Sequence, residues 1–202
     1  MTKIKMCGLR READIEYANA VKPDYIGYVF APKSRRYISP EKAAELTKKL
    51  DNDIIPVGVF VDETIENVIA AVRGGAVKMV QLHGSESEDY TAELQRMGIP
   101  VIRAFQVRSE VDIKAAFSSC ADHILLDSGQ GSGLTFDWSV IGEAGRPYFL
   151  AGGITAENAA EAVKRLRPFA VDASSCLETD GFKDLSKMKA FALAVRGCGD
   201  SL

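Results

Sequence analysis

The 202-residue sequence predicts an α/β protein, a single (β/α)8 TIM barrel of near minimal size spanning residues 1–202. Three observations carry that expectation. Eight short apolar runs, rich in β-branched residues, end at positions 7, 30, 61, 82, 105, 127, 150 and 173, so that successive ends lie 23, 31, 21, 23, 22, 23 and 23 residues apart. A period this regular means one supersecondary unit used repeatedly. Between the runs lie segments rich in Ala, Leu, Glu and Lys, so strand and helix alternate as in a parallel sheet covered by helices. The first crossover, Cys7-Gly8-Leu9-Arg10, is neither the G-x-G-x-x-G nor the P-loop that an open doubly wound sheet more often carries there. Eight units therefore favour a closed ring.

The elements follow in order. A strand at residues 4–7 is followed by a helix at 12–20. A strand at 25–30 runs into the polar segment Pro32-Lys33-Ser34-Arg35-Arg36-Tyr37, then a helix at 40–50. Ser39 before Pro40 suits an N-cap with proline in the first turn. The strand at 54–61 leads to a helix at 64–73 that Gly74 ends. The strand at 77–82 leads to a helix at 86–97, with Ser85 and Glu88 as a capping box and Gly98 at its end. The fifth unit is a strand at 100–105 and a helix at 110–117. The strand at 123–127 is followed by Gly129-Gln130-Gly131-Ser132-Gly133, flexible by composition, and a helix at 137–142. The strand at 148–150 runs into Gly152-Gly153 and a helix at 156–166. The last strand, 169–173, precedes Ser174-Ser175-Cys176 and a helix at 184–195.

Composition narrows the function classes. With 47% hydrophobic and 26% charged residues the chain has the balance of a globular protein, which argues against long disorder. A net charge of -3 without a Lys/Arg block gives no electrostatic reason to expect nucleic acid or an anionic membrane as partner. No apolar run approaches the ~20 residues of a membrane helix, and the first residues are too charged for a signal peptide. The four cysteines, Cys7, Cys120, Cys176 and Cys198, show neither a C-x-x-C pair nor zinc spacing. They read as free, buried thiols in a cytoplasmic protein that holds no metal. Monomer and homodimer both stay open.

A closed barrel of this kind carries its active site on the loops at the carboxyl ends of the strands. The polar residues that end the strands are therefore the candidates. Gly152 and Gly153 let backbone N–H groups approach a ligand at the start of a helix, and Ser174–Cys176 turn one unit later, where such barrels usually bind phosphate. A small phosphorylated substrate is expected. Cys7 ends the first strand and Asp127 the sixth, so the two approach a ligand from opposed sides, a thiolate as base and a carboxylic acid as proton donor. Such a pair needs a lowered thiol and a raised carboxyl. Lys5 points inward with Cys7 and needs a partner, for which Asp172 on the neighbouring strand is the candidate. Gln81 and His83 share a face of the fourth strand, and the arginines at 35–36 suit a carboxylate.

The residues also resemble a known family. The stretches Lys3-Ile4-Lys5-Met6-Cys7-Gly8-Leu9, Ser34-Arg35-Arg36-Tyr37-Ile38-Ser39-Pro40, Gln81-Leu82-His83-Gly84, Leu125-Leu126-Asp127, Thr135-Phe136-Asp137-Trp138, Leu150-Ala151-Gly152-Gly153-Ile154 and Gly181-Phe182-Lys183-Asp184 are similar, in this order, to phosphoribosylanthranilate isomerases. The resemblance implies a cofactor-free Amadori rearrangement in tryptophan biosynthesis. It makes Cys7 the general base, Asp127 the general acid and Arg36 the residue that holds the anthranilate carboxylate. It makes Gly152, Gly153, Ser175 and Cys176 the phosphate site; Gln81 and His83 are substrate-binding candidates by their place on the fourth strand, with the role of His83 open. Cys176 stands where the family usually has Gly, which costs energy if that backbone takes positive φ. Gln130 and Leu134 depart from the family in the glycine loop. Two other readings stay open, an isomerase or epimerase on another phosphorylated sugar and a non-catalytic phosphate-ligand module.

Overall fold

The structure, a computed structural model, describes residues 1–127, 138–141 and 145–197. Eight parallel strands close into a barrel in sequence order: β1 (Lys3–Cys7), β2 (Tyr25–Val29), β3 (Ile55–Phe60), β4 (Met79–Leu82), β5 (Val101–Gln106), β6 (His123–Asp127), β7 (Tyr148–Leu150) and β8 (Ala170–Ala173). β8 pairs back onto β1, with Lys5 opposite Asp172, and this closes the ring. The helices α1 (Glu12–Val21), α2 (Pro40–Thr47), α3 (Ile65–Arg73), α4 (Glu88–Arg96), α5 (Glu110–Phe117), α6 (Ala159–Leu166) and α7 (Leu185–Arg196) cover the strands. Before α7 the chain adds a short antiparallel pair, β9 (Glu178–Thr179) and β10 (Phe182–Lys183).

Strand alternation sorts the side chains into two cores. Ile4 and Met6 of β1, Val80 and Leu82 of β4, Ile124 and Leu126 of β6, and Val171 and Ala173 of β8 pack outward with the helices. The intervening residues turn into the lumen, where Tyr25, Val57, Met79, Ile102, Leu125, Phe149, Ala151 and Ala170 form a separate cluster. The amino end of the barrel is plugged by rings. Phe149 lies 5.3 Å from Tyr25, 5.6 Å from His123 and 5.5 Å from Phe169, centroid to centroid. His123 stacks on Phe169 at 5.1 Å, and Lys3 Nζ lies over the Tyr25 and Phe169 rings. The carboxyl ends of β1 and β6 carry Cys7 and Asp127, and Gln81 and Asp172 stand one residue in from the ends of β4 and β8.

Local signals place most helix starts. Ser39 caps α2 by accepting from Lys42 N, and Thr64 and Asp184 cap α3 and α7 in the same way. The α4 start differs from the expected box. Its N-cap is Ser87, which accepts from Tyr90 N. Ser85 is drawn away, because its N–H donates to Asp62 Oδ1 at 2.6 Å while Glu86 accepts from Gly84 N and Asp62 N. Those bonds tie the loop before α4 to the loop before α3. The expected sixth helix also differs: residues Trp138–Ile141 form one 3-10 turn, while Asp137 and Gly142 lie outside the described residues. The glycine loop at 129–133, with Gln130, Leu134 and the Thr135-Phe136-Asp137 stretch, lies outside them too, as does Cys198. Cys7, Cys120 and Cys176 are free thiols, but only Cys7 is buried; Cys120 is exposed and Cys176 half-buried.

Candidate active site

A cavity of about 370 Å³ opens at the carboxyl ends of the strands, and all nine candidate residues line it: Cys7, Arg36, Gln81, His83, Asp127, Gly152, Gly153, Ser175 and Cys176. Cys7 and Asp127, separated around the ring by β8 and β7, thus face one space from two sides. Strand alternation puts them there, since Lys3, Lys5 and Cys7 share the inner face of β1, as His123, Leu125 and Asp127 share that of β6. Gly27, paired with Cys7 in the β1–β2 register, leaves room for the thiol; a Cβ at that position would lie 2.6 Å from Cys7 Sγ.

Below the mouth lies a buried ion pair. Lys5 Nζ, fully buried, donates to Asp172 Oδ2 at 2.8 Å, as the alternation argument expects. Burial alone would pull the Lys5 ammonium below its ordinary value, but Asp172, and after it Cys7, hold it above. Burial pushes the Cys7 thiol up, and the nearby Lys5 and Lys183 charges only partly offset that shift. The expectation of a lowered thiol is therefore not met: desolvation of the thiolate, joined by the Asp172 charge, outweighs two cations. At β4, Gln81 Nε2 lies 2.9 Å from His83 Nδ1, and His83 Nε2 lies 3.4 Å from Asp127 Oδ2.

One end of the cavity is shaped by the β7 and β8 loops. Gly152 and Gly153 take φ values of 80° and 69°, a left-handed pair that turns the chain after β7. Asn158 fixes the turn, accepting from Thr155 N and donating to Gly153 O, both at 2.8 Å. Cys176 sits in a 3-10 turn, Ser175–Leu177, and is not among the positive-φ residues. The strain expected of cysteine at this position is absent because the turn asks for no left-handed backbone. Instead its thiol donates to Ile154 O at 3.1 Å, joining the β8 loop to the β7 loop. Burial raises that thiol to about 11.

At the other end, Arg36 is not left to solvent. Its Nε and Nη2 donate to the two oxygens of Glu178 at 2.6 and 3.0 Å, a bidentate grip. Glu178 also accepts from Lys183 Nζ at 2.8 Å, and Lys183 donates to Ser174 O at 3.0 Å. Burial works against the Glu178 carboxylate, but hydrogen bonds from Arg36 and Lys183 hold it down at about 2. With Arg35 3.7 Å from Glu178 as well, the cluster of three cations and one carboxylate keeps a net positive charge. Glu178 and Lys183 did not stand out in the sequence. The only signal was that Lys183 belongs to Gly181-Phe182-Lys183-Asp184; its burial comes from β9 and β10 folding it under Ser174. Among the described residues no three His, Cys, Asp or Glu side chains gather as a metal-binding group, and no helix is long and apolar enough to cross a membrane.

Residues 4–194 match the family model described as N-(5'-phosphoribosyl)anthranilate (PRA) isomerase. A relative from Thermoanaerobacter sp. (strain X514), named N-(5'-phosphoribosyl)anthranilate isomerase, is 41% identical over 98% of this chain and 99% of its own. A phosphoribosyl anthranilate isomerase from Thermotoga maritima superposes with a TM-score of 0.91 at 37% identity, covering 98% of this chain and 100% of the other. A second such structure, in complex with reduced 1-(o-carboxyphenylamino)-1-deoxyribulose 5-phosphate, superposes with a TM-score of 0.89 at 36% identity and the same coverage.

Proposed function

The chain belongs to the N-(5'-phosphoribosyl)anthranilate isomerase family, and from that premise we infer that its barrel mouth converts N-(5'-phosphoribosyl)anthranilate into 1-(2-carboxyphenylamino)-1-deoxyribulose 5-phosphate, a step of tryptophan biosynthesis. The observation that carries this reading is the single cavity that Cys7 and Asp127 share with the β7 and β8 loops and Arg36.

Asp127 protonates the furanose ring oxygen and the ring opens to a protonated imine. Cys7 then removes the proton from the sugar C2, giving an enolamine, which tautomerises to the ketose. The electron pair of the C2–H bond moves toward C1 within the substrate, so no external oxidant or reductant enters. The raised thiol is compatible with this order. Ring opening places a cationic imine beside Cys7, and an adjacent positive charge favours the thiolate at the step that needs it. Lys5 and Lys183 act in the same direction. Arg36, oriented by Glu178, has N–H groups beyond the two that Glu178 takes, and these suit the aryl carboxylate. Backbone N–H groups at Gly152, Gly153, Ser175 and Cys176 suit the phosphate. Gln81 and His83 stand on the Asp127 side of the substrate. The free thiols support a reducing, cytoplasmic setting.

The test is a fluorescence assay of purified protein with freshly prepared phosphoribosylanthranilate. Wild type turns the substrate over. Cys7→Ala and Asp127→Asn each lose at least about 100-fold in kcat, the usual worth of a positioned acid or base, while circular dichroism shows an intact fold. Near-normal turnover in either variant removes that residue from the mechanism.

A further inference from the structure

Gln81 is 1% exposed, and its amide meets the imidazole of His83 two residues on. A neutral imidazole carries one ring proton and an amide NH2 only donates. With Gln81 Nε2 2.9 Å from Nδ1, that ring nitrogen is the acceptor, so the proton sits on Nε2, which faces Asp127 Oδ2 at 3.4 Å. We propose that Gln81 is a positioning residue for the proton donor of the reaction: by donating to Nδ1 it fixes His83 as the Nε2–H tautomer and aims that N–H at Oδ2 of Asp127. This rests on Asp127 being the general acid.

The arrangement has a definite consequence for the acid. An N–H pointed at Oδ2 gives the Asp127 proton no resting place on His83, so in this tautomer the ring does not compete with the sugar ring oxygen for it. After the transfer, the new carboxylate keeps a donor at Oδ2. The 3.4 Å separation is longer than a closed hydrogen bond, as is common for acid–base contacts before substrate tightens them.

Gln81 Oε1 is buried without a hydrogen-bond partner among the described residues. Turning the amide over would give that oxygen a donor, Nδ1–H, but would strand the NH2 instead. It would also set a bare Nε2 against Asp127, tolerable only while the carboxyl keeps its proton and spends it on the imidazole. The orientation of Gln81 and the availability of the Asp127 proton are thus linked through one ring.

The chain has two histidines, so nitrogen-15-labelled histidine reports His83 directly once a His83→Asn variant assigns its signals. The result expected of wild type, at a pH where imidazole is neutral, is an acceptor-type Nδ1 and a protonated Nε2. Gln81→Glu, whose carboxylate accepts from Nδ1, moves the proton to Nδ1, and Gln81→Met releases the ring to a mixture of tautomers. In both variants kcat falls roughly ten- to a hundred-fold, part of the worth of a proton donor, while KM moves less than about threefold. An Nδ1–H ring in wild type overturns the proposal. So does either Gln81 variant with wild-type kcat, or one that loses activity with the tautomer unaltered. If Asp127→Asn is inactive and the wild-type ring is Nδ1–H, the acid assignment stands and the role of Gln81 falls. An active Asp127→Asn variant instead removes the premise.

Discussion

Cys7 shows two forces in opposition: burial, with the Asp172 charge, favours the neutral thiol, while Lys5 and Lys183 favour the thiolate. Burial wins, so alkylation of Cys7 by iodoacetamide, followed by mass spectrometry, rises with pH through a midpoint above the ordinary cysteine value of ~8.5. Lys5→Met shifts that midpoint further up, and coincident curves for the two proteins would rule out any electrostatic role for Lys5. The variant also leaves Asp172 buried without its cation, a loss of about 3–5 kcal/mol, so the titration is read well below its melting temperature. Glu178 is the converse case. Its folded value of about 2 lies below the usual ~4.3, so its contribution to stability is complete above the usual value and disappears as pH falls toward 2. Glu178→Gln keeps the shape but removes the charge that grips Arg36 and Lys183. Steady-state kinetics should then show KM rising about tenfold with kcat changed much less. An unchanged KM would mean that Arg36 needs no support to meet the substrate.

The elements divide into those written in local sequence and those written only in tertiary contact. The strand at His123–Asp127, the strand at Tyr148–Leu150 and the helix at Glu110–Phe117 are legible residue by residue, because apolar runs and caps bound them. The start of α4 is not legible. The Ser85-Glu88 pattern competes with Asp62 and Glu86 from and beside a neighbouring loop, and the tertiary bonds decide. The site divides in the same way. Cys7, Asp127 and the Lys5–Asp172 pair follow from strand period and ring closure. Glu178 and Lys183 become visible only when β9 and β10 fold back over Ser174. The amino-end plug was equally hidden, since aromatic rings on three different strands and the β8 approach meet there without any sequence pattern. It carries its own prediction. Burial holds the His123 imidazole below its ordinary value of ~6.5, more than Asp122 raises it. The unfolded chain therefore binds the proton more readily, and the stability this group contributes is complete above ~6.5 and lost as pH falls below it. Urea unfolding at about pH 7.5 and about pH 5 should show a smaller acid loss for His123→Phe than for wild type; equal losses would mean that the ring titrates as it does in the open chain.

At the scale of the whole molecule, the barrel separates folding from chemistry along its axis. The ring-filled base holds no group of the proposed mechanism, and the mouth holds few of the large lumen side chains. Between them, the Lys5–Asp172 pair closes β1 against β8 at mid-height and sets the charge beneath Cys7. Such barrels tend to stabilise at the amino-terminal face and react at the carboxyl-terminal face, and here the residues responsible can be named. Phe149→Ala removes a fully buried ring that touches Tyr25, His123 and Phe169. It should cost about 3–5 kcal/mol, or roughly 10 °C in Tm for a chain of this size, with kcat and KM at 25 °C within about twofold of wild type. Cys7→Ala should do the reverse, abolishing turnover with Tm changed by less than about 3 °C. The contrast is the informative quantity. A Phe149→Ala variant that unfolds early and also loses kcat by tenfold at 25 °C would mean that the lumen transmits repacking from base to mouth, past the ion pair. The mouth would then owe its geometry to the whole core. If the two variants behave as opposites, the geometry of the mouth is held by strand register, the Lys5–Asp172 pair and the loop hydrogen bonds alone.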